Sequence, residues 1–267
     1  MKLKSCVLAA AFAAGALTVS AQQGGTIQGR VRLTGTPPAN ALIRMGADPN
    51  CLTINAGKRI VQETVLKGPD GGLANVFASV RGSFPSSAPP STPAVIDQRA
   101  CTYHPRVQGA RVGQTLSVKN SDKTLHNIHS MTTKDNAFNT GQPQAGMVFN
   151  YKLKSEEVML HVKCDVHPWM TGYIGVVNHP YHAVTNATGA FTISGVPPGK
   201  QTIQVWHERY GALTQTVDIR PGAVVTVDFA YTGSEKPPSS AGAFPVQELV
   251  IPAGTTAVQL VFAPPRQ

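Results

Sequence analysis

Apolar and polar residues alternate with period two through stretches such as "GTIQGRVRL", "TLSVKN" and "EVMLHVK". Successive side chains of a strand point to opposite faces, so this alternation marks half-buried β-strands. No segment holds a 3.6-residue apolar stripe over three turns, and Gly and Pro punctuate the chain throughout. The pattern predicts an all-β protein. From Gly25 to Ile43, "GTIQGRVRLTGTPPANALI" predicts a strand, a Gly-Thr-Pro-Pro turn and a second short strand; "ANVFASV" follows the turn signal "GPDGG". "SFPSSAPPSTPA", Ser83 to Ala94, has little apolar surface to bury and predicts a mobile surface loop.

Downstream, "ARVGQTLSVKNSDKTLHNIHSM" predicts a strand over Thr115 to Asn120, a polar turn at Ser121 to Lys123 and a strand carrying "LHNIHS". "QAGMVFNYKLKSEEVMLHVKC" supplies two strands ending at Cys164, and "TGYIGVVN" one more after Met170. Together these make a sandwich of about seven or eight strands. After Asn178 the texture changes to "TNATGAFTISGVPPGKQTIQVWHE", a hairpin pattern. "VDIRPGAVVTVDF" from Val217 is echoed by "LVIPAGTTAVQLVF" from Leu249, with the linker-like "TGSEKPPSSAGA" between them.

The ends change the picture. "MKLK" followed by "SCVLAAAFAAGALTVSAQ" reads as a basic and then apolar leader with a small-residue cleavage site, so residues 1–21 are set apart as a signal peptide and a periplasmic or secreted address follows. No later stretch approaches the roughly 20 apolar residues of a membrane-spanning helix. Without Lys2 and Lys4 of the leader, 21 basic residues face 14 acidic ones, a net charge of +7 scattered without runs. Lacking a basic helix or an aromatic platform, the chain offers nothing to nucleic acid. Neither a catalytic carboxylate pair nor a serine triad is visible, so no enzymatic activity is expected.

Three cysteines lie beyond the leader: Cys51, Cys101 and Cys164. In an oxidising compartment an odd count pairs two and leaves one free, intermolecular or bound to metal. Cys164 has the ligand-like neighbours, which leaves a Cys51 to Cys101 disulfide closing a loop of about 50 residues, a constraint of about 4 kcal/mol in the chain-entropy model.

Those neighbours stand in "HVKCDVHPWMTGY", where Cys164 is followed by His167 and Met170. A thiolate, an imidazole and a weak thioether suit a soft or borderline metal, and one more imidazole completes the two-His, one-Cys and axial-Met set of an electron-transfer copper site. His126, on a strand about 40 residues upstream, is the candidate for that imidazole. The bland alternatives are a buried free thiol for Cys164, a core or edge histidine for His126 and a gap-filling core methionine for Met170. Trp169 is either packing or part of an apolar rim around an exposed His167 edge. His129 and His161 are expected off the site, and His104, His179, His182 and His207 on the polar surface.

"YHPRVQGARVGQTLSVKNSDKTLHNIHS" together with "CDVHPWM" resembles the cupredoxins, the small blue-copper β-sandwiches, over roughly Leu73 to Asn178, and the short gap between His167 and Met170 is similar to that of amicyanin-like members. The resemblance implies a Greek-key sandwich holding mononuclear type 1 copper, with His126, Cys164 and His167 equatorial, Met170 axial, and Asn127 tying the ligand loop. "TNATGAFTISGVPPGKQTIQVWHE" resembles carboxypeptidase regulatory-like (transthyretin-like) domains, a smaller β-sandwich module, and "GTIQGRVRLTG" and "GGLANVFASV" resemble its opening strands, so that one domain is split around the other. The expected organisation is signal peptide 1–21, N-terminal β region 22–72, cupredoxin domain 73–178, regulatory-like module 179–232, linker 233–245 and C-terminal β hairpin 246–267. The leading function is one-electron shuttling between redox proteins, a cytochrome or an oxidoreductase. The alternatives are a copper carrier and a non-redox surface or carbohydrate-binding module.

Overall fold

The computed structural model describes residues 23–236; the leader and the C-terminal hairpin expected at 246–267 lie outside the described residues. Among the described residues the fold is all-β apart from one short helix. Its first part contains β1 (Gly25–Leu33), α1 (Pro49–Ile54), β2 (Phe77–Arg81), β3 (Ala94–Arg99), β4 (Thr102–His104) and β5 (Val107–Arg111). Then follow β6 (Thr115–Asn120), β7 (His126–Met131), β8 (Asn139–Gln142), β9 (Val148–Lys152), β10 (Glu157–Lys163) and β11 (Thr171–Val177). The last strands are β12 (His182–Val184), β13 (Ala190–Val196), β14 (Gly199–His207), β15 (Gly211–Ile219), β16 (Val224–Thr226) and β17 (Phe229–Tyr231).

These strands build two sandwiches. In one, the sheet β5-β11-β10-β7-β8 covers the sheet β4-β3-β6-β9. Ile96, Leu116 and Val118 from one face meet Ile128, Leu160, Val162, Ile174 and Val176 from the other in a single buried cluster. Each fully buried aliphatic side chain of this kind contributes about 1.5–3 kcal/mol by leaving water. In the second sandwich, β1 pairs antiparallel with β13 and parallel with β16 and β17, and this layer faces β12-β2-β14-β15. Its core joins Ile27, Val31, Ile193 and Phe229 to Ala78, Val80, Ile203 and Val205.

Sheet pairing therefore groups β1 and β2 with the C-terminal strands. Phe77–Arg81, within the span expected as cupredoxin domain, hydrogen-bonds to β12 and β14. Alternation along "FASVR" cannot name the partner strand, which is chosen by long-range contacts. The short strand expected near Ile43 reduces to one bridge, Leu42 with Val61. The Pro/Ser-rich segment carries no strand before Ala94, but it is tied down: the Arg111 guanidinium donates to Ser87 and the Gln114 amide to the Thr92 carbonyl.

The two sandwiches meet at Phe77, Val107 and Val177, all buried. Gly175 on β11 makes room for this contact, since a Cβ there would stand 2.3–2.6 Å from the Phe77 ring. Arg106 forms a two-pronged pair with Glu208 at 2.5 and 2.8 Å, and the Tyr173 and Trp206 rings lie 5.0 Å apart. The histidines expected on the surface include two that are buried, His179 at 2 % and His207 at 0 % exposure. Aromatic neighbours explain this: His179 packs on Phe84 and Tyr181, and His207 on Tyr210 and Tyr231.

Two outcomes are expected from this packing. Gly175→Ala forces its methyl group into Phe77 and should lower stability by about 1–3 kcal/mol, read as a fall in thermal midpoint; an unchanged midpoint would mean that the ring yields freely. Burial, aided by nearby arginines, lowers the pKa of His179, His182 and His207 to about 4. The unfolded chain binds these protons near pH 6.5, so their contribution is intact above that pH and is lost as pH falls towards 4. Denaturant midpoints should drop across that window, and His207→Gln should shrink the drop.

Candidate metal centre

The site sits at one pole of the β3–β11 sandwich, where "LHNIHS" begins β7 and the turn after β10 carries "CDVHPWM". His126 is the first residue of β7, paired with Gln142 of β8, and is fully buried. The turn closes on itself: Cys164 N–H donates to the Met170 carbonyl at 3.0 Å and Met170 N–H to the His167 carbonyl at 2.8 Å. Asn127 fastens the turn from β7, its Oδ1 accepting from Asp165 N–H at 2.6 Å while its amide donates to Asn139 and Asp165. Cys164 and Met170, each 1 % exposed, share the core cluster, and His167 is 3 % exposed.

The geometry brings His126, Cys164 and His167 together. The two Nδ1 atoms are 3.0 Å apart, Cys164 Sγ is 3.7 Å from His167 Nδ1, and one donor atom from each of the three residues falls within 4.8 Å of the others. Each imidazole is held from behind: His126 Nε2 lies 2.9 Å from Asp122 Oδ2 and His167 Nε2 lies 2.9 Å from Asp48 Oδ2. Burial opposes the charge on these carboxyls, but hydrogen bonds from the imidazoles and from backbone N–H groups outweigh it and lower both pKa values. Burial also pushes the His167 pKa down, against the pull of Asp48. A neutral imidazole whose Nε2–H serves an ionised carboxylate presents a bare Nδ1 lone pair. With both rings in that form, the two Nδ1 atoms and the Cys164 sulfur face one point and can share a cation. Nitrogen and sulfur bonded to a metal at about 2.0–2.3 Å span such separations, so the donor set fits a soft or borderline cation.

Without a cation, burial pushes the Cys164 thiol up to about 11, even though N–H groups of Asn127, Val166 and His167 favour its thiolate. Cys51 and Cys101 form a disulfide. Their sulfurs also adjoin the histidines, that of Cys51 at 3.6 Å from His167 Nε2, but a bonded sulfur is no thiolate ligand. His129 turns away to the Asp165 carboxylate at 3.0 Å, and His161 stacks on Tyr173 and bonds Thr171.

One expectation is corrected here: His167 has no exposed edge. Asp48 and the first turn of α1 cover it, and Trp169 packs beside it with ring centroids 5.0 Å apart, its indole donating to the Cys101 carbonyl at 2.9 Å. Sequence reasoning missed Asp48 and α1. The only local signal was "DPN", an N-cap aspartate before a proline at the first helical position, and the helix has six residues, too short to show a period.

Alkylation should find Cys164 inert in the native metal-free protein and reactive after unfolding, with Cys51 and Cys101 linked in non-reducing peptide maps; rapid native labelling of Cys164 would contradict its burial.

No curated protein sequence matches this chain. Among solved structures, a purple cupredoxin from Nitrosopumilus maritimus overlaps 31 % of this chain and 98 % of its own at 26 % identity and TM-score 0.27. A Cu(I) amicyanin variant overlaps 37 % and 97 % at 19 % identity and TM-score 0.29. A copper-containing nitrite reductase from Thermus scotoductus overlaps 36 % of this chain and 24 % of its own at 18 % identity and TM-score 0.28. At those TM-scores the overlaps carry no functional argument. Residues 174–232 match the family model of the carboxypeptidase regulatory-like domain. The match opens within β11, which pairs in the five-stranded sheet, and runs through β17. The C-terminal part of the described chain thus carries a carboxypeptidase regulatory-like domain, and β1 and β2 are hydrogen-bonded into its sheets.

Proposed function

We propose that this is an exported type 1 copper protein that passes single electrons between redox partners and has no substrate chemistry of its own. The observation that carries the reading is the convergence of two Nδ1 atoms and one buried sulfur, each imidazole backed by a carboxylate. His126, Cys164 and His167 would be the equatorial ligands and Met170, buried in the same cluster, the weak axial one. Bound copper would supply a one-electron couple, while the chain holds the donors in place and excludes water. A buried, prearranged donor set supports cycling of a resident ion over its delivery to a partner, because exchange requires ligand access. With His167 covered, half-buried Trp169 is the ring in contact with it that still reaches solvent, and it suits electron exit towards a cytochrome or an oxidoreductase. The leader motif supports the exported address, and among the described residues no helix is long and apolar enough to cross a membrane.

Copper-loaded protein should show an intense thiolate-to-Cu(II) absorption band and reversible one-electron cycling. Cys164→Ser should abolish the band while leaving the β circular dichroism nearly unchanged. A protein that stays colourless and copper-free under these conditions would remove the reading.

A further inference from the structure

Asp48 and Asp122 come from distant parts of the chain, yet they are built into the site in the same way. Asp122 Oδ1 and Oδ2 accept from the N–H groups of Ala100 and Cys101 at 2.9 and 2.8 Å, and Oδ2 also meets His126 Nε2. Asp48 Oδ1 accepts from the N–H groups of Asn50 and Cys51 at 2.7 and 3.2 Å, and its Oδ2 meets His167 Nε2 and accepts from the Thr124 hydroxyl, both at 2.9 Å. Each carboxylate is thus gripped by the backbone of one half of the Cys51–Cys101 disulfide and grips one imidazole with its remaining capacity. Ala100 and Cys101 both have positive φ, 53° and 55°, a left-handed conformation costly for residues with a Cβ. It turns two consecutive N–H groups onto Asp122, so the backbone is bent to serve this carboxylate.

We propose that Asp48 and Asp122, braced by the Cys51–Cys101 bridge, are positioning residues that fix both imidazoles with Nδ1 inward and bias the centre towards the more highly charged metal ion. The proposal rests on the copper reading for its second half only. A carboxylate hydrogen-bonded to Nε2–H fixes the tautomer and strengthens the ring as a donor, and its negative charge favours Cu(II) over Cu(I). A thiolate and two carboxylates around one ion leave the site at a net charge of −1 with Cu(II) and −2 with Cu(I), so removing one carboxylate should favour reduction. The disulfide's part is mechanical: it ties α1, which carries Asp48, to the turn that cradles Asp122.

Asp48→Asn keeps an oxygen for the N-cap bonds of α1, so it should fold, while an uncharged NH2 replaces the oxygen that faces His167. In copper-loaded protein it should lower the preference for Cu(II) over Cu(I) by about tenfold, a rise in potential of about 59 mV for one electron. Asp122→Asn should move the potential the same way. Asp48→Ala removes the acceptor, and nitrogen-15 spectra of the metal-free protein should then show His167 losing its fixed Nε2–H tautomer while His126 keeps its own. Replacing both Cys51 and Cys101 by Ala should loosen both tautomers. Potentials unchanged in Asp48→Asn and Asp122→Asn would overturn the electrostatic half, and an unchanged His167 tautomer in folded Asp48→Ala would overturn the positioning half. If wild-type protein binds no copper, the copper reading fails, yet the tautomer measurements still decide the positioning of the imidazoles.

Discussion

The interaction on which the site depends is the close approach of two buried imidazoles and one buried sulfur. His126 and His167 bring Nδ1 to Nδ1 at 3.0 Å, with the Cys164 sulfur 3.7 Å from His167 Nδ1, in a place that water scarcely reaches. Buried polar groups need partners within the protein. Here those partners are held rigidly: Asn127 fastens the Cys164 turn, Asp122 and Asp48 hold the rings from behind, and a disulfide ties the segments that carry the two carboxylates' backbone partners.

That rigidity comes from the sandwich. β7 and β10 are adjacent in one sheet, with Lys163 paired to His129, so the end of β10 and the start of β7 stand at the same pole. The packing of Ile128, Leu160 and Val162 against Ile96, Leu116 and Val118 holds those strands, and Cys164 and Met170 are buried in the same cluster. These side chains are therefore locked by the packing of the core, as a preorganised centre requires.

The second sandwich stands against the first at Phe77, Gly175 and the Arg106–Glu208 pair. Arg106 also donates to Gln62, whose amide donates to the Trp169 carbonyl in the turn from Cys164 to Met170. A hydrogen-bonded path thus connects Glu208 of the regulatory-like domain to the turn from Cys164 to Met170, in addition to the apolar contact.

Strand alternation made the all-β class readable from sequence, because burial on one face imposes period two locally. The spacing of Cys164, His167 and Met170 was likewise readable, since all three belong to one turn, and "LHNIH" marked His126 by its place at a strand start. The odd cysteine count pointed to Cys51 and Cys101. What the sequence could not hold was anything decided by partners far apart in the chain. The pairing of β1 and β2 with C-terminal strands depends on long-range register, which alternation leaves open. Asp48 reaches His167 across 119 positions through a six-residue helix with no periodic signature, and the burial of His179 and His207 follows from rings that only the folded chain sets around them. Local patterns thus determined the strands and the grouping of Cys164, His167 and Met170 in one turn, while tertiary packing alone decided that the candidate site is closed, carboxylate-backed and flanked by the disulfide.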